Sequence, residues 1–213
     1  MAVGRRHLEF LLLCIVFPSI IIFGQYGFFM FYFLWAATVY CLAVFYFSDR
    51  EFLHHMWRFD QLTWENMKPI LVRWILASIA MVIFIYFYNR AEMFSIILNR
   101  PQVIPFILIL YPILSAIPQE FIFCTFFFKR FHSIFPTERA KIIASSVVFA
   151  YAHILYLNPV SPVLSIFAGL IFAQTYSKSR SLALVSVEHA LYGATLFLSG
   201  LGTYFYSGNV PPP

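Results

Sequence analysis

Seven long apolar stretches, separated by short polar segments, dominate the pattern of this chain. A helix that crosses the hydrocarbon core of a bilayer needs roughly 20 apolar residues, within a range of about 17–25. The candidate spans are residues 8–24, 26–47, 69–88, 103–128, 141–157, 162–177 and 181–205. The pattern therefore predicts an all-α fold, a polytopic transmembrane helix bundle with about seven spans.

One polar segment, residues 48–68, mixes charged side chains with Phe, Trp and Leu. This mixture is typical of a helix that lies in the plane of a membrane surface. We therefore predict an interfacial amphipathic helix over 48–68, on the cytoplasmic side. The length of the chain suits one domain of several spans, so we treat 1–213 as a single membrane domain.

Composition excludes a soluble globular protein. Of the 213 residues, 62% are hydrophobic and 11% are charged, whereas soluble domains average about 45–50% apolar and about 25% charged residues. The net charge of +5 does not indicate nucleic acid, because the sequence offers no basic soluble face interleaved with aromatic residues. The basic residues instead cluster between the spans, as in membrane proteins whose cytoplasmic loops are rich in Lys and Arg.

The distribution of Lys and Arg also predicts an orientation. With the N-terminus in the cytoplasm, Arg90 and Arg100 fall on the outer side, and the other Lys and Arg residues lie at the cytoplasmic face. Such a bias follows the positive-inside rule. The first apolar run follows Arg5 and Arg6 and precedes no small-x-small cleavage site, so we expect it to be a retained first span.

Three ionisable residues, Glu120, His153 and His189, each lie within a different apolar stretch. Counted from the basic residues at the predicted cytoplasmic ends of their helices, they lie nine to twelve residues deep, or roughly 13–18 Å. An ionisable group inside a membrane span is costly and is a functional-site hypothesis by default. We therefore predict that three helices bring an acid and two imidazoles to one layer of the bilayer, in a polar pocket open toward the cytoplasm.

These residue types support two kinds of chemistry. Hydrocarbon around a carboxylate disfavours its charged form, which suits Glu120 as a general base for water, while one histidine orients the water and the other stabilises an oxyanion. Alternatively, two His and one Glu are a known catalytic zinc set, so Zn at Glu120, His153 and His189 stays open. The sequence implies no other cofactor. Glu188 projects about 100° away from the neighbouring His189 around the helix and is a candidate supporting residue.

The segments around these residues resemble a known family. They read Gln119-Glu120-Phe121-Ile122-Phe123-Cys124, Phe149-Ala-Tyr-Ala-His153 and His189-Ala-Leu-Tyr-Gly193. These stretches are similar to the motifs EExxxR, FxxxH and HxxxN/B of the CPBP intramembrane proteases, a group that includes CAAX-processing type II prenyl endopeptidases and bacterial Abi proteins. The motifs have the right order and separation over about 103–200, which we expect to be a protease-like core.

The resemblance implies a catalytic role for each motif. The first acid of the family activates water together with the first histidine; this acid is Gln119 here, so Glu120 would have to replace it and Gln119 would only donate or orient. His153, in the motif that begins at Phe149, would position the water. His189 would bind the oxyanion.

Three positions depart from the family pattern. They are Gln119 in place of the first glutamate, Cys124 in place of the arginine and Gly193 in place of the asparagine. The asparagine is an oxyanion donor, and losing one such donor typically lowers a rate by about 100- to 1,000-fold.

We therefore predict an intramembrane endopeptidase that hydrolyses a peptide bond near the C-terminal membrane anchor of a membrane-anchored protein or peptide substrate. The expected location is a bacterial inner membrane, and the expected partners are that substrate and the lipid bilayer, without nucleic acid. The alternative is a catalytically inactive family member that acts as a membrane chaperone, regulator or immunity factor, which the three departures favour. A transporter is less favoured, because the sequence has no inverted repeat.

Overall fold

The computed structural model describes residues 2–205, and this part of the chain consists of helices and short turns, without strands. Seven helices, α1 to α7, form the bundle. In chain order they are Gly4–Phe23, Tyr26–Ser48, Trp64–Tyr88, Pro101–Arg130, Glu138–Ala152, Val160–Ser179 and Leu182–Ser199. All except α5 are long and apolar enough to cross a membrane, which gives six candidate spans among the described residues. The predicted all-α polytopic bundle is confirmed.

The predicted span over 141–157 is shorter in the structure. α5 is a 15-residue helix that ends at Ala152, and a tight 3-10 turn, His153–Tyr156, follows it. The chain then turns at Leu157, whose φ is +54°. The apolar run is therefore divided between a helix and a turn, and the described residues contain six long spans rather than seven.

Several helices change their winding along their length. α1 begins within the helical segment Ala2–Leu11, continues through the π-helical turn Leu12–Val16 and ends with Phe17–Phe23. α2 joins the 3-10 turn Tyr26–Phe29 to Met30–Ser48. α4 joins Pro101–Val103, Ile104–Tyr111, Pro112–Ala116, Ile117–Glu120, Phe121–Phe126 and Phe127–Arg130. The connections add the short helical segments Arg50–His55, Phe59–Gln61, Arg90–Glu92, Ser95–Asn99 and Leu201–Phe205.

Residues 48–68 do not form the continuous amphipathic helix that their composition predicts. The short helix Arg50–His55 begins after Asp49, whose side chain accepts a backbone hydrogen bond of the first turn at 3.2 Å. Arg58 then adopts a left-handed backbone with φ +43°, and Thr63 caps the start of α3 through a hydrogen bond of 3.3 Å. Two helix caps and one left-handed residue thus break the segment into short pieces.

Pro118 accounts for part of the irregular winding of α4. Proline has no N–H, so the carbonyl of Leu114 loses its partner in the helical ladder. The indole N–H of Trp35 in α2 donates to this carbonyl instead, at 3.2 Å. π-helical turns at Pro112–Ala116 and Phe121–Phe126 flank the proline, and turns of this kind are frequent at functional sites. The helix is therefore loosened, and tied to α2, immediately before the first motif.

α7 occupies the interior of the bundle, where it packs against α3, α4 and α6. Its start is fixed by Ser181, whose hydroxyl caps the first turn at 3.0 Å and donates to the carbonyl of Trp57 at 2.9 Å. α5 and α6 pack closely because α6 carries Gly169, where an added Cβ would lie 3.0 Å from the Cα of Ser146. These contacts bring the second and third motifs together beside α4.

Candidate active site

A cavity of about 680 Å³ lies between the helices where the three motif stretches meet. Its wall is mostly apolar and includes Tyr111, Ser115, Gln119, Phe149, His153, Phe172, His189, Tyr192 and Gly193. The structure therefore brings Gln119, His153 and His189 to one cavity. Glu120 lies behind this wall.

Glu120 and His189 form a buried acid–imidazole pair. Oε1 of Glu120 lies 2.6 Å from Nδ1 of His189, and the two residues are 1% and 5% exposed. The other carboxylate oxygen, Oε2, has no hydrogen-bond partner among the residues that the structure describes. Because His189 lines the cavity and Glu120 does not, the carboxylate reaches the cavity through the imidazole ring.

Aromatic side chains hold the ring of His189 in place. Phe172 of α6 stacks on it, with ring centroids 4.6 Å apart and planes at 18°. Phe149 and Tyr111 each present their rings at a steep angle to it, with centroids 5.9 Å away. With these neighbours and the bond to Glu120, the imidazole has a fixed orientation toward the cavity.

His153 is fixed by the first residue of its own motif. Its Nδ1 lies 2.7 Å from the carbonyl oxygen of Phe149, and the two rings are 4.4 Å apart. A carbonyl oxygen can only accept a hydrogen bond, so Nδ1 carries the proton and Nε2 of the neutral ring is left as an acceptor. The hydroxyl of Ser161 donates to the backbone carbonyl of His153 at 3.0 Å, which holds the turn at the end of α5.

Gln119 faces the cavity at the position where the related motif has its first glutamate. Its Nε2 donates to the hydroxyl of Ser115 at 2.7 Å, and its Oε1 has no hydrogen-bond partner in the described part of the chain. A side-chain amide donates and accepts hydrogen bonds but does not take up a proton at neutral pH. The residue at this point of the wall can therefore orient a group but cannot act as a base.

Glu188 points away from the cavity and anchors α7 to its neighbours. It is 0% exposed, and Nη2 of Arg73 in α3 lies 2.8 Å from its Oε1. The same guanidinium nitrogen donates to the hydroxyl of Thr175 in α6 at 2.9 Å. This three-helix junction lies one residue before His189, so it sets the rotation of α7 that aims His189 at the cavity.

Zinc at Glu120, His153 and His189 stays a prediction. Among residues 2–205, no three His, Cys, Asp or Glu side chains lie in a group that could hold a metal ion. Nδ1 of His189 contacts Glu120 and Nδ1 of His153 contacts a backbone carbonyl, so the remaining ring nitrogen of each histidine is Nε2.

Two residues of this site are missing from the sequence-based prediction. Arg73 lies inside α3, and an ionisable residue inside a span is itself a signal of function, although its partner could not be read from the sequence. Tyr111 is one of 13 tyrosines and has no distinguishing pattern. Its ring occupies the space next to Gly193, where an added Cβ would overlap its tip.

Comparison with known proteins agrees with the motifs. Residues 101–195 match the family model described as type II CAAX prenyl endopeptidase Rce1-like, a region that contains all three motif stretches. The resemblance to CAAX-processing proteases is therefore confirmed over this part of the chain. No curated protein and no solved structure matches the chain. The six candidate spans support an integral membrane protein, and residues 101–195 of it are similar to the CAAX protease family.

Proposed function

We propose that this protein is an intramembrane endopeptidase that hydrolyses a peptide bond near the C-terminal membrane anchor of a membrane-anchored protein. The observation that carries the proposal is the buried Glu120–His189 pair at the wall of a cavity between membrane-spanning helices. Such a pair can take a proton from water and return it to a leaving group. The family match over 101–195 supports the same class of reaction.

In this proposal Glu120 acts through His189. Their shared proton sits on Nδ1 of His189, which leaves Nε2 to take a proton from water while the water oxygen bonds to the scissile carbonyl carbon. The carbonyl oxygen becomes an oxyanion, and the Glu120 carboxylate stabilises the imidazolium that forms. The imidazolium then gives its Nε2 proton to the amine nitrogen as the C–N bond breaks. The sequence alone favours Glu120 as the direct base; the position of His189 between Glu120 and the cavity supports the indirect route.

His153 orients the attacking water. Its Nδ1 proton is engaged with the carbonyl of Phe149 at 2.7 Å, so Nε2 accepts the hydrogen bond of the water proton that is not transferred. A water held by two ring nitrogens has a fixed direction of attack, and fixed orientation is a large part of the rate advantage of such sites.

The substrate we propose is an apolar segment that enters from the bilayer. Phe106 and Phe167 line the cavity, and each of them is 62% exposed, so the cavity wall includes residues at the open surface of the helices. The matching family is described as type II CAAX prenyl endopeptidase Rce1-like, and a prenyl chain or an apolar anchor helix suits a wall of this composition. The proposal includes a cytoplasmic N-terminus in a bacterial inner membrane, the orientation that the Lys and Arg distribution predicts.

A second candidate function is a catalytically inactive member that binds membrane proteins as a chaperone, regulator or immunity factor. One observation favours it: the side chain that faces the cavity in the first motif is the amide of Gln119, and the neighbouring acid lies behind the wall. The absence of the motif asparagine at Gly193 points the same way.

The test is cleavage by the purified protein in lipid nanodiscs. Two fluorogenic peptides are offered, one farnesylated at a C-terminal CAAX sequence and one with an apolar C-terminal helix. The wild type is expected to cut at least one of them, and His189→Ala is expected to lower kcat by about 1,000-fold or more, as loss of a catalytic histidine does in other hydrolases. His54→Ala is the matched control, because His54 is exposed in the connection before α3 and should leave kcat unchanged.

The variant Gln119→Glu separates the two candidates. It restores an acid at the cavity wall, so cleavage by this variant, with none by the wild type, would establish the inactive-member function. Wild-type rates in His189→Ala would contradict the catalytic role of the pair.

A further inference from the structure

Gly193 leaves a gap on α7 that another helix fills. It lies one helical turn after His189, on the same face, and both residues line the cavity. A Cβ added to Gly193 would overlap the tip of the Tyr111 side chain, at Cε1, Cζ and the hydroxyl oxygen. The end of the tyrosine therefore occupies the space that a longer side chain at position 193 would take.

Tyr111 is held rigidly in that space. It is the last residue of the helical segment Ile104–Tyr111 in α4, and its ring packs against Phe197 with centroids 5.3 Å apart and against His189 at 5.9 Å. Its hydroxyl makes no hydrogen bond to the described residues, while the side chain lines the cavity. A phenol donor is therefore available to a group inside the cavity.

The proposed reaction needs such a donor. If His189 takes the proton of water, the oxyanion that forms at the carbonyl must receive a hydrogen bond from another group. Nε2 of Gln119 gives one of its two hydrogens to Ser115 at 2.7 Å. The hydroxyl of Tyr192 also lines the cavity without a partner among the described residues, but the atoms nearest to the space beside Gly193 belong to the tip of Tyr111. Tyrosine hydroxyls serve as oxyanion donors in other active sites.

We propose that the hydroxyl of Tyr111 is the oxyanion donor of this protein, and that it takes the place of a side chain at position 193. The proposal rests on the protease function proposed above. A glycine on α7 and a tyrosine on α4 then form one functional unit, in which the glycine makes room and the tyrosine supplies the hydrogen bond. Tyr111 is accordingly a catalytic residue, because its hydroxyl contacts the reacting oxygen.

Removing the hydroxyl alone gives the first test. Tyr111→Phe keeps the ring packing and is expected to lower kcat by about 100- to 1,000-fold, the usual effect of losing one oxyanion donor, with little change in KM. Tyr46→Phe is the control, because Tyr46 lies in α2 and is 49% exposed; it should leave both constants unchanged. Undiminished kcat in Tyr111→Phe would overturn the donor role.

An exchange of side chains gives the second test. Tyr111→Ala opens the space beside Gly193, and the double variant Tyr111→Ala, Gly193→Asn places an amide donor there. We expect the double variant to recover at least about tenfold of the lost kcat, a part of the effect of one donor. Tyr111→Ala, Gly193→Leu is the matched control, because leucine fills a similar volume without a donor and should not restore activity.

The two proposals fail in different ways. If Glu120→Gln abolishes cleavage while Tyr111→Phe and both double variants behave as the wild type, the protease function stands and the donor role is wrong. Equal rescue by asparagine and leucine would make Tyr111 a packing residue. If the wild type cuts neither peptide, the protease function and the donor role are both overturned.

Discussion

The first three helices and the three spans of the C-terminal region differ in burial and in mean hydropathy. The relation between these two properties is the reverse of the one in soluble proteins, whose most apolar segments are the most buried. In the most apolar parts of α1, α2 and α3, 17%, 17% and 11% of the residues are buried, whereas the corresponding values for α4, α6 and α7 are 33%, 44% and 56%. Mean hydropathy runs the other way, at 1.9, 2.0 and 2.3 against 1.8, 1.4 and 1.4. The most apolar helices therefore face outward, where lipid is the solvent, and the helices that carry polar groups lie inside.

The difference assigns separate tasks to the two regions. α4 to α7 supply the motif residues. α1 to α3 cover these helices, and contacts from α3 fix the rotation of α7. α3 makes two such contacts with α7: Arg73 pairs with Glu188 at 2.8 Å, and the indole N–H of Trp74 donates to the hydroxyl of Thr195 at 2.9 Å. Changes to the motif residues of α4 to α7 should therefore affect catalysis, and changes in the first region should affect stability or nothing.

The strongest test of this division compares two buried acids. Glu120→Gln is expected to lower kcat by about 10³- to 10⁴-fold, because the amide no longer stabilises the imidazolium of His189. Glu9→Gln should leave kcat unchanged, although Glu9 is also buried, at 9% exposed, and pairs with Arg130 at 2.7 Å. Both values are measured on whichever peptide the wild type cuts. An equal loss in the two variants would show that the first region takes part in catalysis.

The next largest effect is expected from the ion pair of Arg73 and Glu188, which joins the two regions. Arg73→Met leaves the fully buried Glu188 without its partner, which should lower the free energy of unfolding by about 3–5 kcal/mol. The double variant Arg73→Met, Glu188→Gln should recover most of this loss, because no unpaired charge remains. Unfolding in detergent with increasing denaturant, followed by tryptophan fluorescence, gives both values.

Breaking an exposed ion pair is the control for the Arg73→Met variant. Lys129→Met removes the contact of 2.9 Å with Asp49, in which the side chains are 47% and 35% exposed, and should cost at most about 1 kcal/mol. A loss in Arg73→Met that is no larger than in Lys129→Met would mean that the contact between α3 and α7 carries no special stability.

The sequence predicts the spans well and their interior surfaces poorly. Long apolar runs identify six candidate spans because length and hydropathy are local properties, yet α5 ends early because a turn and a left-handed residue at Leu157 divide the run. Motif spacing predicts that His153 and His189 lie close together, and both line one cavity in the structure. It could not show that Gln119 and not Glu120 faces it, because adjacent residues point about 100° apart on a helix and the π-helical turns of α4 shift that direction.

The sequence also did not predict which residues the site residues contact. The contact of Arg73 with Glu188 joins residues 115 positions apart, and nothing in either local pattern specifies that pairing. Tyr111 contacts Gly193 because the winding of α4 directs the tyrosine ring toward the position on α7 where a side chain is missing. Such features depend on helix rotation and packing, which hydropathy does not encode.

A smaller effect is expected from packing. Phe126→Leu removes part of a ring that is 0% exposed in the core between α2 and α4, and should cost about 1–2 kcal/mol, within the usual range for one substitution. Phe87→Leu changes a ring of α3 that is 81% exposed, and should leave the free energy of unfolding unchanged, since lipid or detergent replaces the lost contacts. Equal unfolding midpoints for the two variants would contradict the difference in burial between the regions.

The smallest expected effect is a pH dependence at Glu138, the first residue of α5. Partial burial tends to raise the pKa of this carboxyl, but hydrogen bonds from Lys141, Ser177 and Arg180 outweigh it and lower the pKa from 4.5 to about 2. The unfolded chain therefore binds a proton at a higher pH than the folded protein, so the stability from this carboxylate is present above pH 4.5 and is lost as the pH falls toward 2.

This contribution should be modest, below about 1 kcal/mol, because the side chain is 47% exposed and its ion pairs are screened. Comparing wild type with Glu138→Gln isolates it from the other carboxylates: the difference in unfolding free energy should shrink as the pH is lowered through this range, while kcat at neutral pH stays the same. Since Glu138 joins α5 to Lys141 of its own helix and to Arg180 before α7, a pH-independent difference would mean that the C-terminal region is held together without this ionic contact, by packing alone.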